Sequence, residues 1–169
     1  MSPGVDESTN AACNLENTSP LAITSAVVTR TVEWQDTDAA GHYHHRTILR
    51  WVEAAEAELL DRAGLRDLFG AIPRVRYEAD YQDRIWFGDV ATIHIDIIRL
   101  GRSSMTYAVK VYRESQLAAT ASLTAVHAPD PDKGAQPWPA VVHQRLGATN
   151  DHRREATVRR APAQQQGPN

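Results

Sequence analysis

Apolar residues along this chain change their period twice. From Ala26 to Trp34, Val28, Val32 and Trp34 alternate with Thr29, Thr31 and Glu33, the period of two expected of a half-buried strand. From about His45 to Ala63 the period lengthens, and Ile48, Val52, Ala55, Leu59 and Ala63 form one stripe. No proline interrupts that stretch and Gly64 supplies a stop, which predicts a helix. At 1.5 Å per residue it would run about 28 Å, enough to cross a small sheet.

Beyond Gly64 the period of two returns. Val75, Tyr77, Ala79 and Tyr81 alternate with Arg74, Arg76, Glu78 and Asp80. Ile93, Ile95 and Ile97 alternate with Thr92, His94 and Asp96, and Tyr107, Val109 and Val111 with Thr106, Ala108 and Lys110. A last strand runs from about Leu117 to His127. Leu100-Gly101-Arg102-Ser103 reads as a hairpin connection, and Pro129, Pro131, Pro137 and Pro139 end the sheet. Strand, long helix and antiparallel meander together predict an α+β domain with one helix on one face of a sheet. A sheet wider than one helix can cover leaves apolar surface that a homodimer would bury.

Composition narrows the picture. The 169 residues suit one domain with tails. Residues 1–22 and 147–169 are polar and without periodicity, so both are expected to be disordered, leaving 23–146 as the folded domain. A net charge of −3 offers no footprint for nucleic acid. The basic residues are nearly all Arg and scattered, which leaves a phosphorylated small ligand open. Cys13 is the single cysteine, so an internal disulfide and a thiolate metal site are both excluded. No run approaches the roughly 18 apolar residues that cross a bilayer, and Met1 to Pro20 lacks a signal-peptide pattern. The expectation is a soluble cytoplasmic protein with no membrane partner.

Candidate chemistry is concentrated in Glu33-Trp34-Gln35-Asp36-Thr37-Asp38-Ala39-Ala40-Gly41-His42-Tyr43-His44-His45. Two carboxylates, a small-residue turn and a histidine cluster meet there at a helix start. That combination suits attack by water on a polarised carbonyl. A plain surface loop whose Asp residues cap the helix fits the same letters. Three histidines in four positions also invite a metal, but neighbours on a turn rarely converge without distant partners.

The Asp36-Thr37-Asp38-Ala39-Ala40-Gly41-His42 motif is followed by a helix carrying Arg50-Trp51-Val52-Glu53-Ala54-Ala55. Together they resemble the 4-hydroxybenzoyl-CoA thioesterase family of hot-dog proteins over roughly Val27 to Ala128. The resemblance implies a curved antiparallel sheet wrapped around one long central helix, assembly as a homodimer or homotetramer, and hydrolysis of an acyl thioester. The substrate would be carried by coenzyme A or an acyl carrier protein, with a polyketide or other secondary-metabolite pathway as one setting. No metal or redox cofactor is needed. An enoyl-thioester hydratase of the same fold and a non-catalytic acyl-thioester-binding protein are the rivals.

The same resemblance makes Asp38 the catalytic carboxylate, as nucleophile or general base. It places His45 in the site seven residues on, and Glu53 on the central helix. By local chemistry Asp38 is equally a helix N-cap, and Asp36 an orienter of the turn. Glu53, on a flank that otherwise looks apolar, would face a partner's site or pair with an Arg. Gly41 would let a thioester approach, and main-chain N–H groups near His42 and Tyr43 are the expected oxyanion hole. Arg102, Ser103 and Ser104 are either contacts to pantetheine or phosphate, or simply a hairpin tip.

Overall fold

The structure is a computed structural model that describes residues 22–146. The expected tails and Cys13 lie outside the described residues, Ala22 excepted. Five strands form one antiparallel sheet: β1 (Thr24–Thr31), β2 (Arg74–Tyr81), β3 (Val90–Leu100), β4 (Ser104–Arg113) and β5 (Gln116–Val126), in the spatial order β1-β3-β4-β5-β2. Helix α1 (His45–Arg62) follows β1. It ends where the stripe ends, with Ala63 as cap and Gly64 at φ 67°.

The apolar stripe becomes the buried face of α1, where Ile48, Val52, Ala55 and Leu59 meet Ile93, Ile95 and Ile97 of β3. Tyr107, Val109 and Val111 of β4 extend the same core. His94 and Asp96, on the other face of β3, are buried too.

Three expectations need correction. The sheet does not wrap around the helix. It is open, and β1 and β2 form its two edges. α1 lies closest to β1 and β3, because a helix about 10 Å across spans only about two strands. Leu65, Leu68 and Ile72, together with Trp138, Val142 and Leu146, complete the core. Second, the first strand stops at Thr31, and Trp34 points outward at 77% exposure instead of joining the core. Third, Val75 is exposed, because the β2–β5 register shifts between Arg74 and Arg76.

Candidate active site

The motif is built from a clamp and a turn. After Val32, which is fully buried, residues Trp34–Asp36 make one 3₁₀ turn. Asp36 is buried at its end. Its Oδ2 accepts the Glu33 N–H at 3.0 Å and its Oδ1 meets Arg50. The Asp36 carbonyl accepts the His44 N–H at 2.7 Å and the Thr47 hydroxyl at 2.8 Å. Asp36 is thus the orienter of the motif, tied to the first two turns of α1.

Between Asp36 and His44 the chain goes out and returns. Asp38 Oδ1 accepts the Ala40 N–H at 2.8 Å, and the Asp38 carbonyl accepts Gly41 N–H at 2.9 Å. Gly41 has φ 80°, a conformation that costs any residue with a Cβ. Asp38 N–H closes the excursion on the His42 carbonyl at 3.2 Å. Asp38 is exposed at its tip and does not cap α1. The cap is His44, whose Nδ1 accepts the Arg46 N–H at 3.2 Å.

Asp38, His42, Tyr43 and His45 form one wall of a cleft of about 570 Å³. Tyr81, Asp83 and Arg84 form the other. Tyr43 fastens the two together, with its N–H on the Ile85 carbonyl at 2.9 Å and its hydroxyl on the Asp83 carbonyl at 3.0 Å. Burial first, then the nearby Tyr81 and Asp83, push the Tyr43 phenol up, so it stays a proton-bearing strut. The Tyr81 hydroxyl donates to the His45 carbonyl at 3.1 Å. His42 meets Trp86 edge-on, ring centroids 5.6 Å apart. Its Nδ1 lies 3.1 Å from the Tyr43 carbonyl, which suits an Nδ1–H tautomer.

The expected oxyanion donors are partly committed elsewhere. Gly41, Tyr43 and His44 all spend their N–H groups within the fold. Among the described residues those of His42 and His45 have no acceptor. His45 opens α1, so its N–H is one of the outward donors at a helix start.

Asp38, Gly41, His42, Tyr43 and His45 are brought together; the remaining candidates are not. Glu53 is exposed and lies outside the cleft. The buried acid of α1 is Glu56, one position beyond Ala55 on the core stripe, which pairs with Arg74 of β2. Its Oε1 and the Tyr107 hydroxyl lie close enough to perturb one another, yet no hydrogen bond of good geometry joins them. The helical period that placed Leu59 inward was enough to find Glu56. Arg102, Ser103 and Ser104 sit at the hairpin after Leu100, whereas the motif adjoins the Val90 end of β3. Their carbonyls hold the segment 127–138: Ser103 O accepts His127 N–H, and Arg102 O and Ser104 O accept the backbone and indole N–H of Trp138. Asp83 and Arg84 went unread in the sequence. Their one signal is the polar break after the strand ending at Tyr81. No group of three His, Cys, Asp or Glu among the described residues is placed to hold a metal, and no described helix is long and apolar enough to cross a membrane.

A helix-start donor and a carboxylate turn thus stand beside one cleft on an α+β frame. Residues 32–146 match the family model of the Thioesterase-like superfamily. The chain belongs to that superfamily of hot-dog proteins and is a thioesterase, a hydrolase acting on thioester bonds. A 1,4-dihydroxy-2-naphthoyl-CoA hydrolase from Synechococcus sp. (strain CC9605) is 35% identical over an alignment of 107 residues, with 57% of this chain and 72% of the relative covered. Another, from Prochlorococcus marinus, is 35% identical over 105 residues, covering 54% of this chain and 68% of the relative. The crystal structure of a 1,4-dihydroxy-2-naphthoyl-CoA thioesterase from Synechocystis superposes with a TM-score of 0.69 at 21% identity, over 76% of this chain and 99% of that one.

Proposed function

We propose that the protein hydrolyses an aromatic acyl-CoA, with Asp38 as the reacting carboxylate. One observation supports this above the rest: Asp38 and His45 line the same cleft, and the His45 main-chain N–H is unspent at the start of α1. A thioester oxygen at that N–H would gain a fixed donor as negative charge develops on it, a type of contact worth about 10²–10³-fold in rate. Asp38 then attacks the carbonyl carbon or takes a proton from an attacking water. The carbon–sulfur bond breaks and the thiolate takes up a proton. Where Asp38 activates water, that water's oxygen enters the free acid directly. Direct attack instead leaves an Asp38–acyl anhydride that water then opens at the aspartyl carbonyl, its oxygen entering Asp38. The His45 and His42 rings are the titratable groups placed to supply that proton.

Tyr43, Tyr81 and His42 set three rings among the polar groups of the cleft, suited to stacking on an aromatic acid. The relatives' names point the same way, towards coenzyme A and a bicyclic aromatic acid instead of a polyketide chain.

A panel of 1,4-dihydroxy-2-naphthoyl-CoA, benzoyl-CoA and hexanoyl-CoA, followed by release of free thiol, tests this reading. The aromatic esters should be cleaved fastest, and no cleavage of any would sink it. Asp38→Asn should lower kcat by about 10²-fold or more. Single turnover in ¹⁸O-water separates the two roles of Asp38, since only direct attack leaves label in its carboxylate.

A further inference from the structure

We propose that Arg50 is a positioning residue for hydrolysis, holding Asp38 and the start of α1 in register through Asp36. The inference rests on Asp38 being the reacting carboxylate. His44, the cap of α1, and Thr47 and Arg50 within it stand three residues apart, so they share one face of the helix. All three deliver a donor to Asp36: His44 N–H and Thr47 hydroxyl to its carbonyl, Arg50 to its carboxylate. Asp38 leaves this clamp two residues downstream of Asp36, and His45 leaves it one residue after His44. The spacing between the carboxylate and the free N–H is therefore set where Asp36 is held.

Arg50 is the one charge-neutralising member. The Asp36 side chain is 3% exposed, and its other oxygen has only the Glu33 N–H. A buried carboxylate stripped of its cation is strongly unfavourable, and the relief open to Asp36 is to rotate towards water, drawing the 3₁₀ turn with it. The walls that would grip an acyl group are fastened by other bonds, through Ile85, Asp83 and the His45 carbonyl. Losing Arg50 should thus disturb the reacting geometry more than the binding of substrate. Substitution leaves no core cavity, since the Arg50 side chain is 51% exposed in a separate hollow beside Thr29 and Glu33.

The test compares Arg50→Gln, Arg50→Lys, Asp38→Asn and the Asp38→Asn/Arg50→Gln double variant on the best acyl-CoA of the panel, each checked for folding by circular dichroism. Arg50→Gln should lose about tenfold or more in kcat, because small misplacements of reacting groups are costly, with KM held within about twofold. Arg50→Lys keeps the cation and should recover most of the loss. Adding Arg50→Gln to Asp38→Asn should cost little more, since residues acting as a unit are non-additive. A folded Arg50→Gln enzyme with wild-type kcat would overturn the proposal, as would a fully additive double variant. Full activity of Asp38→Asn would instead overturn the catalytic reading beneath it, and the proposal with it.

Discussion

Glu56 is the buried acid of α1, with one oxygen on Arg74 and the other without a hydrogen bond among the described residues. Burial pushes its carboxyl up, Arg74 and then the nearby Tyr107 pull against that, and Glu53 adds to the rise. A carboxyl whose folded-state pKa is raised takes up a proton more readily folded than unfolded. Its contribution to stability is then fully present below the unfolded pKa, about 4.3, and is lost as pH rises through the folded value. Glu56→Gln keeps the shape and removes the ionisation. The melting temperature of the wild type should therefore fall relative to Glu56→Gln as pH is raised from acid towards neutral. Parallel melting curves across that range would show that Glu56 enters the core without this penalty.

The turn Asp38–Gly41 is the smallest element of the candidate site. A Cβ at Gly41 would lie 3.9 Å from Trp86, an ordinary contact, so Gly41→Ala meets no clash and only the φ of 80° resists it. The expected loss is about 1–2 kcal/mol by urea unfolding, with Gly41→Asn losing less because Asn tolerates the left-handed region. Equal stability of the Ala variant would mean that the turn relaxes to another shape. Elements of this size were unevenly legible from sequence. The α1 stripe and the β3 and β4 core faces followed from period, and the end of α1 from Gly64, because Ile48 to Leu59 and Ile93 to Ile97 each keep one period throughout. Trp34 broke its pattern because the chain turns at Glu33 to place Asp36 under Arg50. Val75 broke its pattern at a bulge, and bulges leave no period to read. Within the candidate site, Asp38, His42, Tyr43 and His45 were legible as one cluster because they lie within eight residues of one another. Asp83 and Arg84 arrive from another loop, through the Tyr43 bonds, and no local spacing announces such a meeting.

At the scale of the molecule, the sheet ends in β1 and β2, each paired on one side only among the described residues. Val75 on the β2 edge is 60% exposed and Val90, at the start of β3, is 50% exposed. An edge with unsatisfied N–H and C=O groups and an apolar side chain is a template for pairing. Light scattering at micromolar concentration should show at least a dimer, and Val75→Lys should move the population towards monomer if β2 pairs with a second β2. A wild-type protein that is purely monomeric would rule out any shared site. The open sheet is compatible with such pairing in a way that a closed wrap would not be, since closure would have used both edges.

Tyr43 has a mechanical meaning beyond its place in the wall. Its N–H, its hydroxyl and the nearby Phe87–Gly41 bond all join the Asp38–Gly41 turn to the loop 82–87, and the hydroxyl also lies 3.5 Å from the Ala118 carbonyl of β5. The two jaws of the cleft are riveted at their base to each other and to the sheet, so neither can swing away as a lid does. An acyl group taken up there, as proposed, would have to slide in from the open rim, and the gauge of a fixed slot would set the size accepted.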